Sequence, residues 1–253
     1  MYIISIILLL FITVSLLYLY NKNLKESFIN NTVQIPYTVL PKEHDFVHQN
    51  IPRVIYQTYK SNSINKDLYK NVESWINLNP SYQYEFYDDE RIRQFLLKEY
   101  GPKYVERFDS IKVGASKSDY FRILIIYKYG GVYADLDNKL LKPLDEIINP
   151  EDTEILHKQL NNWYDTHVLM MSPNNELLYN CIQIINTNID NKIKGTAIDV
   201  TGPRILRKLI KNKDYIPKKI VHQKDYIKVK RIYISEENYV YWTDIDYIFK
   251  IKP

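Results

Sequence analysis

The stretch from Gly114 to Pro143 constrains the fold more than any other part of the chain. Apolar residues recur at helical spacing over residues 115–129, and a Gly-Gly pair follows as a helix stop. Residues 132–134 then form a short apolar strand, which delivers Asp135 and Asp137 at its C-terminal end. A helix followed by a buried strand with a polar end is typical of α/β folds, which bind ligands at the carboxyl ends of their strands.

The same alternation of strands and helices is predicted upstream of this stretch. Residues 51–59 form a β-branched run typical of a buried strand, and a helix is predicted from about 68 to 78, before a proline. Residues 82–87 alternate like a strand, and a helix capped by an aspartate pair is predicted to run to Tyr100. This order predicts an α/β fold around a mostly parallel central sheet, within a folded domain of residues 51–253.

Composition narrows the classes of protein that fit this order. The chain has 253 residues, of which 45% are hydrophobic, so it is long enough for a folded core and too apolar for a disordered segment. Its formal net charge is only +4 and its basic residues are scattered, so no nucleic-acid partner is predicted. The single cysteine, Cys181, excludes an intrachain disulfide and is predicted to be buried.

The N-terminus is predicted to be a membrane anchor. Residues 2–20 are almost wholly apolar, which is about the length that a helix needs to cross a bilayer. A cleaved signal peptide is the alternative, but the charged start and the small-residue cleavage site typical of one are missing. We therefore assign residues 1–20 to a transmembrane signal anchor and residues 21–50 to a polar stem.

The two aspartates at the end of the predicted strand are candidate metal ligands. Alternate residues of an extended segment point the same way, so Asp135 and Asp137 are predicted to share one hard cation while Leu136 faces the core. Mn²⁺ or Mg²⁺ held by two carboxylates keeps coordination positions for phosphate oxygens and water, and it stabilises a departing diphosphate. A lone Asp-x-Asp is also common in solvated turns. Here the preceding strand and Gly-Gly pair favour a metal site over a solvated turn.

Two further candidates lie on the predicted helix before this strand. Asp119 and Arg122 are three residues apart and therefore share one helix face. Their spacing fits a surface ion pair, and it fits equally a carboxylate that orients sugar hydroxyls beside a guanidinium that reaches a phosphate. Spacing alone does not decide between a surface ion pair and a substrate-binding pair. Trp75 and Trp163 are predicted to be packing residues.

Taken together, these motifs resemble those of the family 32 glycosyltransferases, which carry a DXD sugar-binding region. The block from Ala115 to Asp137 resembles the family pattern A…SDxxR…GGxYxDxD. Residues 51–59 are similar to its opening IPKIIHQTW strand, residues 74–84 to its SW…NPxYxY segment, and residues 201–203 to its later TGP. The matches keep the order of the family.

The resemblance implies a GT-A fold, a nucleotide-sugar donor, a retaining transfer, and Mn²⁺ or Mg²⁺ held by Asp135 and Asp137. It also implies that Asp119 and Arg122 hold the donor sugar, and Arg122 is in addition our candidate to assist the departing diphosphate. Tyr56 and Tyr59 stand where the family usually has His and Trp. The other substrate-binding residues that it implies are Gln57, Thr58 and Tyr59 near the nucleotide, together with Gly131, Tyr133, Thr201, Gly202 and Trp242. For Trp242, packing in the core is the alternative role.

The sequence therefore predicts a metal-dependent retaining glycosyltransferase that moves a hexose to a hydroxyl of a glycan or glycolipid. Mannose from GDP-mannose is the first choice, because the short single-anchor layout looks closest to the inositol phosphoceramide and glycan mannosyltransferases. UDP-hexoses are the alternative donors. A second hypothesis is a catalytically inactive protein that kept the sugar-nucleotide pocket, and a third is a nucleotidyltransferase or phosphohydrolase that uses the same two aspartates.

The sequence does not determine the cellular compartment of the folded domain. Lys22 and Lys25 follow the apolar segment, and by the positive-inside rule they favour a cytosolic domain. Anchored sugar transferases of eukaryotes usually face the lumen of the endoplasmic reticulum or Golgi, which is the opposite orientation. The prediction is therefore a single-pass membrane protein of that type without a fixed orientation.

Overall fold

The structure is a computed structural model that describes residues 13–14, 17–18, 20, 31–42, 48–159, 163–212, 215–229 and 248–249. Most of the predicted membrane anchor lies outside these residues, and so does Trp242. Within the described residues, no helix has the length and apolar character needed to cross a membrane. The anchor therefore stays a prediction.

Strands and helices alternate through the part of the chain that the structure describes. The strands are β1 (Thr32–Gln34), β2 (Thr38–Val39), β3 (Val54–Thr58), β4 (Ser63–Asn65), β5 (Gln83–Tyr87), β6 (Gly131–Ala134), β7 (Asn138–Leu140), β8 (Glu154–Lys158), β9 (Val168–Met171), β10 (Ile220–His222) and β11 (Ile227–Val229). The helices are α1 (Lys66–Asn77), α2 (Asp89–Tyr100), α3 (Pro102–Ser110), α4 (Gly114–Tyr129), α5 (Glu176–Asp190), α6 (Ala197–Val200) and α7 (Pro203–Lys211). Short 3₁₀ turns cover Leu144–Glu146 and Gln223–Asp225.

A sheet with the strand order β10-β8-β9-β6-β3-β5-β2 forms the centre of the described fold. The pairs β10–β8, β3–β6 and β3–β5 are parallel, whereas β8–β9, β6–β9 and β2–β5 are antiparallel. The fold is therefore α/β, as predicted, but the sheet is mixed, and the expectation of a mostly parallel sheet is wrong. The physical reason is the short connection between β8 and β9, which joins neighbouring strands as a hairpin and so makes them antiparallel.

Alternation along the strands separates two apolar cores. On β6, Tyr133 belongs to one core, whereas Val132 and Ala134 belong to the other. The first core is covered by α2 to α7 and the second by α1. Trp75 is fully buried in the second core, which confirms its packing role, whereas Trp163 is 56% exposed, so the packing role predicted for it is wrong.

The predicted elements around the Asp-x-Asp segment are confirmed. Residues 114–129 form α4, and it ends at Gly130 because this residue has a φ of 67° and its Cβ would lie 2.7 Å from the Pro173 ring. Upstream, the predicted strands and helices correspond to β3, α1, β5 and α2. Asp88 caps α2, because its side chain accepts a hydrogen bond of 2.9 Å from the backbone N–H of Arg91.

Part of the predicted stem belongs to the folded domain. β1 pairs with β4, and β2 pairs with β5 and forms an edge of the central sheet. The described fold therefore includes Thr32 to Val39, which lies before the boundary predicted at residue 51. The short polar strands carry no hydrophobic period of their own, so their pairing depends on the partner strands.

A second, two-stranded sheet of β7 and β11 lies beside the central one. Residues 135–137 connect β6 of the central sheet to β7 of this small sheet. The helix α1 packs against β7. The two predicted metal ligands therefore lie at the junction of the two sheets, at the carboxyl end of β6.

Candidate functional site

The Asp-x-Asp segment forms a tight turn. The backbone N–H of Asn138 donates a hydrogen bond of 3.1 Å to the carbonyl of Asp135, and Leu136 is buried against the second core as predicted. The segment was expected to be extended, and that expectation is wrong, whereas the prediction that Asp135 and Asp137 share one cation stays a prediction. The chain must turn here because β6 and β7 belong to different sheets.

A buried arginine holds the first of these carboxylates. Arg122 on α4 places one terminal nitrogen 2.7 Å from Oδ1 of Asp135. The other terminal nitrogen lies 2.9 Å from Oδ1 of Asp119 and 3.1 Å from the hydroxyl of Thr166. The Arg122 and Asp119 side chains are only 6% and 9% exposed, so the surface ion pair left open by the sequence is excluded. Arg122 is therefore a buried link between α4 and the turn.

Tyr133 supports the same carboxylate from within the strand. Its hydroxyl donates a hydrogen bond of 2.7 Å to Oδ1 of Asp135, which lies on the same strand face two residues later. The guanidinium of Arg122 lies over its ring, 4.9 Å from the centroid. Burial raises the pKa of the Tyr133 hydroxyl well above its ordinary value, so it is a proton donor at neutral pH. Oδ1 of Asp135 thus accepts two partly buried hydrogen bonds that fix the orientation of the carboxylate.

The Thr-Gly-Pro motif closes over the other carboxylate. The Thr201 hydroxyl donates a hydrogen bond of 3.1 Å to Oδ2 of Asp119. A Cβ on Gly202 would lie 3.1 Å from that same oxygen and 2.7 Å from the Ile198 backbone, so the close approach requires glycine. Burial raises the pKa of the Asp119 carboxyl to about 7, and the charge of Arg122 offsets that rise only in part.

The backbone of the turn is anchored by side chains of α1. The amide of Asn71 donates a hydrogen bond of 3.0 Å to the carbonyl of Leu136. The indole N–H of Trp75 donates one of 2.7 Å to the carbonyl of Asn138. Both donors are buried, so each satisfies a carbonyl that water does not reach. The carbonyls of Leu136 and Asn138 are therefore both fixed by side chains of α1.

A chain of neutral histidines lies behind the turn. Nδ2 of Asn138 lies 2.9 Å from Nδ1 of His167, Nε2 of His167 lies 3.0 Å from Nε2 of His157, and Nδ1 of His157 lies 3.1 Å from the Val168 carbonyl. Burial lowers the pKa of both histidines, so both rings are neutral. An amide donor at one end and a carbonyl acceptor at the other then fix the tautomers, with protons on Nε2 of His167 and Nδ1 of His157.

The histidine chain reaches the metal-ligand candidate through the backbone. The N–H of Asp135 donates a hydrogen bond of 2.9 Å to the carbonyl of His167, and this bond continues the ladder between β6 and β9. The amide of Asn138 also donates to that carbonyl, at 3.1 Å. The carbonyl of His167, the residue before β9, therefore holds both ends of the turn.

The residues predicted to bind the nucleotide are placed on β3 and just after it. Gln57 is fully buried, accepts a hydrogen bond of 2.9 Å from the Tyr84 hydroxyl, and donates one of 3.5 Å to the Asp135 carbonyl. Thr58 donates a hydrogen bond of 2.7 Å to the Tyr87 carbonyl. Tyr59 is partly buried against the second core. The structure thus brings Gln57 to the turn, while Thr58 and Tyr59 extend from the same strand.

Gly131 is not brought to this cluster, and Trp242 lies outside the described residues. Gly131 is buried at the beginning of β6, at the opposite end of the strand from Asp135, with a φ of 100°. Its Cβ would lie 2.7 Å from the Val54 carbonyl, which gives the glycine a packing role. Trp242 lies outside the described residues, so its substrate contact stays a prediction.

Sequence reasoning missed the residues that support the turn. These are Asn71, Asn138, His157, Thr166 and His167. Asn138 follows Asp137 directly, and a buried polar residue beside two carboxylates was the available signal. The two histidines are ten residues apart and only meet through the β8–β9 hairpin, in which Ile155 pairs with Met170.

The charges around the turn favour a bound cation. The acidic side chains near it are those of Asp119, Asp135, Asp137 and Asp165, and the basic ones are those of Arg122 and Arg207, with Lys139 on the side of the small sheet. The neighbouring histidines are neutral and add no positive charge. Carboxylates therefore outnumber guanidinium groups, which suits a hard divalent cation.

The donor set fits an ion that the protein shares with its substrate. Asp135 is 28% exposed, and its Oδ2 carries neither of the two hydrogen bonds that fix Oδ1. Among the described residues, no group of three or more His, Cys, Asp or Glu side chains is arranged to hold a metal ion. Two carboxylates, Asp135 and Asp137, fit an ion whose other ligands are phosphate oxygens and water.

Comparisons with known proteins agree with this site. Residues 65–154 match the family model described as a glycosyltransferase sugar-binding region containing a DXD motif. Inositol phosphoceramide mannosyltransferase 3 of Schizosaccharomyces pombe is 39% identical over 97 residues, which cover 37% of this chain and 27% of the relative. A mannosyl phosphorylinositol ceramide synthase of Saccharomyces cerevisiae is 36% identical over 100 residues, which cover 40% and 26%. The matched segments thus span about a quarter of the length of these relatives.

A solved structure shares the fold. The PaToxG glycosyltransferase superposes with a TM-score of 0.50 at 14% identity, and the match covers 79% of this chain and 77% of that chain. At this identity the similarity concerns the fold alone. The family match includes α1, α4, β6 and the turn, which carry most of the cluster around Asp135. The resemblance predicted from the motifs is confirmed.

Proposed function

We propose that this chain, which carries a glycosyltransferase sugar-binding region containing a DXD motif, transfers a hexose from a nucleoside-diphosphate sugar to a hydroxyl of a glycan or glycolipid. The observation that carries the proposal is the turn at the end of β6, where Arg122 and Tyr133 fix the Asp135 carboxylate inside the matched region. Mannose is the first choice of sugar, because the relatives in the two yeasts are named as mannosyl-transferring enzymes of inositol phosphoceramides.

The carboxylates of the turn are the proposed metal ligands. Asp135 and Asp137 would hold Mn²⁺ or Mg²⁺, and the ion supplies charge neutralisation to a departing diphosphate when it is bound. The hydrogen bonds that Arg122 and Tyr133 donate to Asp135 keep that carboxylate from rotating, so its remaining oxygen is oriented before the donor arrives. Orientation that is fixed in advance costs no reorganisation when the donor binds.

Asp119 and Arg122 are the proposed support of the donor sugar. Nε of Arg122 is buried without a hydrogen-bond partner among the residues that the structure describes, which is the kind of donor that a ligand oxygen satisfies. The two terminal nitrogens of Arg122 are already engaged by Asp119 and Asp135, so its contribution to the diphosphate acts mainly through the position of Asp135. Gln57, Thr58 and Tyr59 would lie along the nucleotide.

The proposed transfer retains the anomeric configuration. In this mechanism, the acceptor hydroxyl attacks from the same face as the leaving diphosphate, and an oxygen of the leaving phosphate takes the acceptor proton. The C1–O bond to the diphosphate breaks as the C1–O bond to the acceptor forms, so charge passes to the diphosphate beside the turn. Nuclear magnetic resonance of the product linkage tests this step, and an inverted anomeric configuration would exclude it.

The acceptor and the location follow from the same proposal. Residues 1–20 would anchor the chain in a membrane, as expected of an endoplasmic reticulum or Golgi type enzyme, and would bring the turn close to a lipid-linked acceptor. A phosphoinositol-bearing sphingolipid is the first acceptor to test, because the two yeast relatives are named for that class.

A donor panel tests the proposed activity. The full chain is incubated with Mn²⁺, a phosphoinositol-bearing lipid and each of GDP-mannose and the common UDP-hexoses, and released nucleoside diphosphate and glycosylated lipid are both measured. We expect one donor to be used and the activity to be lost in Asp137→Asn, but not in Glu106→Gln, which alters an exposed carboxylate on α3. Donor binding without release of nucleoside diphosphate would favour an inactive binding protein. Release of nucleoside monophosphate or inorganic phosphate would favour the nucleotidyltransferase or phosphohydrolase.

A further inference from the structure

A pocket lined by three lysines lies beside the turn, on the side of the small sheet. It has a volume of about 390 Å³, which is within the range of small-molecule sites. Its walls come from α1, from β7 and the residue after it, and from β11. The lining residues are Asp67, Lys70, Asn71, Lys139, Leu141 and Lys228.

Three of the lining residues are lysines, and they come from three different elements. Lys139 on β7 and Lys228 on β11 stand directly opposite each other in the antiparallel ladder, and like charges in that position destabilise a sheet. Lys70 completes the set from α1, where its ammonium lies 2.7 Å from Oδ1 of Asp67. Within the described part of the chain, neither Lys139 nor Lys228 makes an ion pair or a side-chain hydrogen bond. The pocket therefore carries a net positive charge that its own carboxylate does not balance.

This pocket is linked to the proposed catalytic turn by a shared residue. Asn71 lines the pocket and also donates a hydrogen bond of 3.0 Å to the carbonyl of Leu136, between the two proposed metal ligands. Lys139 is the second residue after Asp137, and it follows Asn138 on β7. An anion bound by Lys139 would therefore lie next to the place where the sugar is transferred.

We propose that the pocket binds a phosphate group of the acceptor. This inference deepens the proposed function and rests on it for the word acceptor, whereas the binding of a phosphate anion stands on the pocket alone. Lysine ammonium groups are compact point charges that suit a phosphate, and three lysines line this one small pocket. Leu141 lines the same pocket and is 49% exposed, so the pocket also offers apolar contact to the remainder of a lipid headgroup. A nucleic acid would need a longer basic stripe.

Calorimetry with soluble probes tests the binding. The full chain is titrated with glycerophosphoinositol, with inorganic phosphate and with myo-inositol at low ionic strength, where exposed charges are least screened. We expect glycerophosphoinositol to bind most tightly, inorganic phosphate more weakly, and myo-inositol not at all. The double variant Lys139→Gln/Lys228→Gln should weaken binding of both phosphate probes by about tenfold or more per lysine. Equal affinity for glycerophosphoinositol and inorganic phosphate would assign the pocket to free phosphate. It would overturn the proposal that the pocket binds a lipid headgroup.

A matched variant separates the pocket from the general charge of the chain. Lys208→Gln/Lys211→Gln removes the same charge from exposed positions on α7 and should leave the affinities unchanged. Absence of binding by the unaltered chain, or equal losses in the two double variants, would overturn the proposal.

Kinetics then connect the pocket to the transfer. The Lys139→Gln/Lys228→Gln variant should raise the KM for a phosphoinositol-bearing lipid by about tenfold or more and leave hydrolysis of the donor in water unchanged. An unchanged KM for the lipid would overturn the assignment to the acceptor. If the unaltered chain transfers no sugar, the proposed function fails, and the calorimetric result still decides whether the pocket binds phosphate.

Discussion

Replacing Arg122 by methionine keeps much of its buried volume but removes the guanidinium that faces Asp119 at 2.9 Å and Asp135 at 2.7 Å. Asp119 is then a buried carboxylate whose remaining contact is the hydroxyl of Thr201 at 3.1 Å. The result is an uncompensated charge in a site from which water is largely excluded. We therefore expect Arg122→Met to lower the free energy of unfolding as well as donor binding.

The size of the loss follows from the charge pair. An opposite charge in contact with a carboxylate lowers its pKa by about 1–3 units, and each unit is about 1.4 kcal/mol of free energy. Loss of Arg122 therefore costs about 1.4–4 kcal/mol through Asp119 alone, in line with the roughly 3–5 kcal/mol that follows from breaking a buried pair. The contribution of Asp135 is smaller, because its side chain is 28% exposed and water screens it.

The pH dependence has a definite sign. Burial raises the pKa of Asp119 to about 7 in the folded chain. The contribution of this carboxyl to the free energy of unfolding is therefore lost as the pH rises through that value. Without Arg122 the pKa of the Asp119 carboxyl in the folded chain rises further. In acid this carboxyl is protonated and uncharged, so the loss of Arg122 lowers the free energy of unfolding less. Arg122→Met should therefore be destabilised more at about pH 8 than at about pH 5.5.

Urea unfolding of a double-mutant cycle measures the effect. The set is the unaltered chain, Arg122→Met, Asp119→Asn and the double variant, each at about pH 8 and about pH 5.5. We expect the double variant to be more stable than the sum of the single losses predicts, by about 1.4–4 kcal/mol at the higher pH and by less at the lower pH. Additive losses, or a coupling that does not change with pH, would refute the buried ion pair.

Three further predictions concern other parts of the chain. Gly131→Ala should lower the free energy of unfolding, measured by urea titration, by about 3 kcal/mol or more, because a Cβ there would lie 2.7 Å from a backbone carbonyl. Gly101 has a φ of 86° but open space around it, so Gly101→Ala should cost only about 1–2 kcal/mol in the same titration. Cys181 is buried with its thiol pKa raised to about 12, so a thiol reagent should label it only after denaturation, and rapid labelling of the native chain would contradict its burial. Trp75→Phe leaves the Asn138 carbonyl unpaired and should cost about 1–3 kcal/mol in thermal unfolding with weaker donor binding, and unchanged donor binding would show that this anchor does not position the turn.

Local patterns in the sequence were sufficient to predict α4, its Gly-Gly stop and β6. The helix, the stop and the strand are each specified by residues that are adjacent in the chain, and the resemblance of the block from Ala115 to Asp137 placed the carboxylates at the strand end. The spacing of Asp119 and Arg122 predicted their contact because a helix fixes residues three apart on one face. Burial of that pair was not predictable, since it depends on the Thr-Gly-Pro motif far along the chain.

Features that depend on register between distant strands could not be predicted. The pairing of His157 with His167 requires the β8–β9 hairpin, and the apolar run of β9 is compatible with a strand or a buried helix. The turn at Leu136 arises because β7 leaves the central sheet to pair with β11, near residue 228. Trp163 lies in a connection, where the guanidinium of Arg207 lies 4.7 Å from its ring centroid, and no local pattern indicates that exposed contact.

The most direct test of the central claim is calorimetric titration of the chain with GDP-mannose, or with whichever donor the panel selects, with and without Mn²⁺. If Asp135 and Asp137 hold the ion that the donor shares, binding should need Mn²⁺ in the unaltered chain and in the exposed control Glu106→Gln/Glu151→Gln. Binding should be lost in Asp135→Asn/Asp137→Asn, whose fold is checked by its circular dichroism spectrum. Equally tight, Mn²⁺-dependent binding by that folded variant would contradict the assignment of the site.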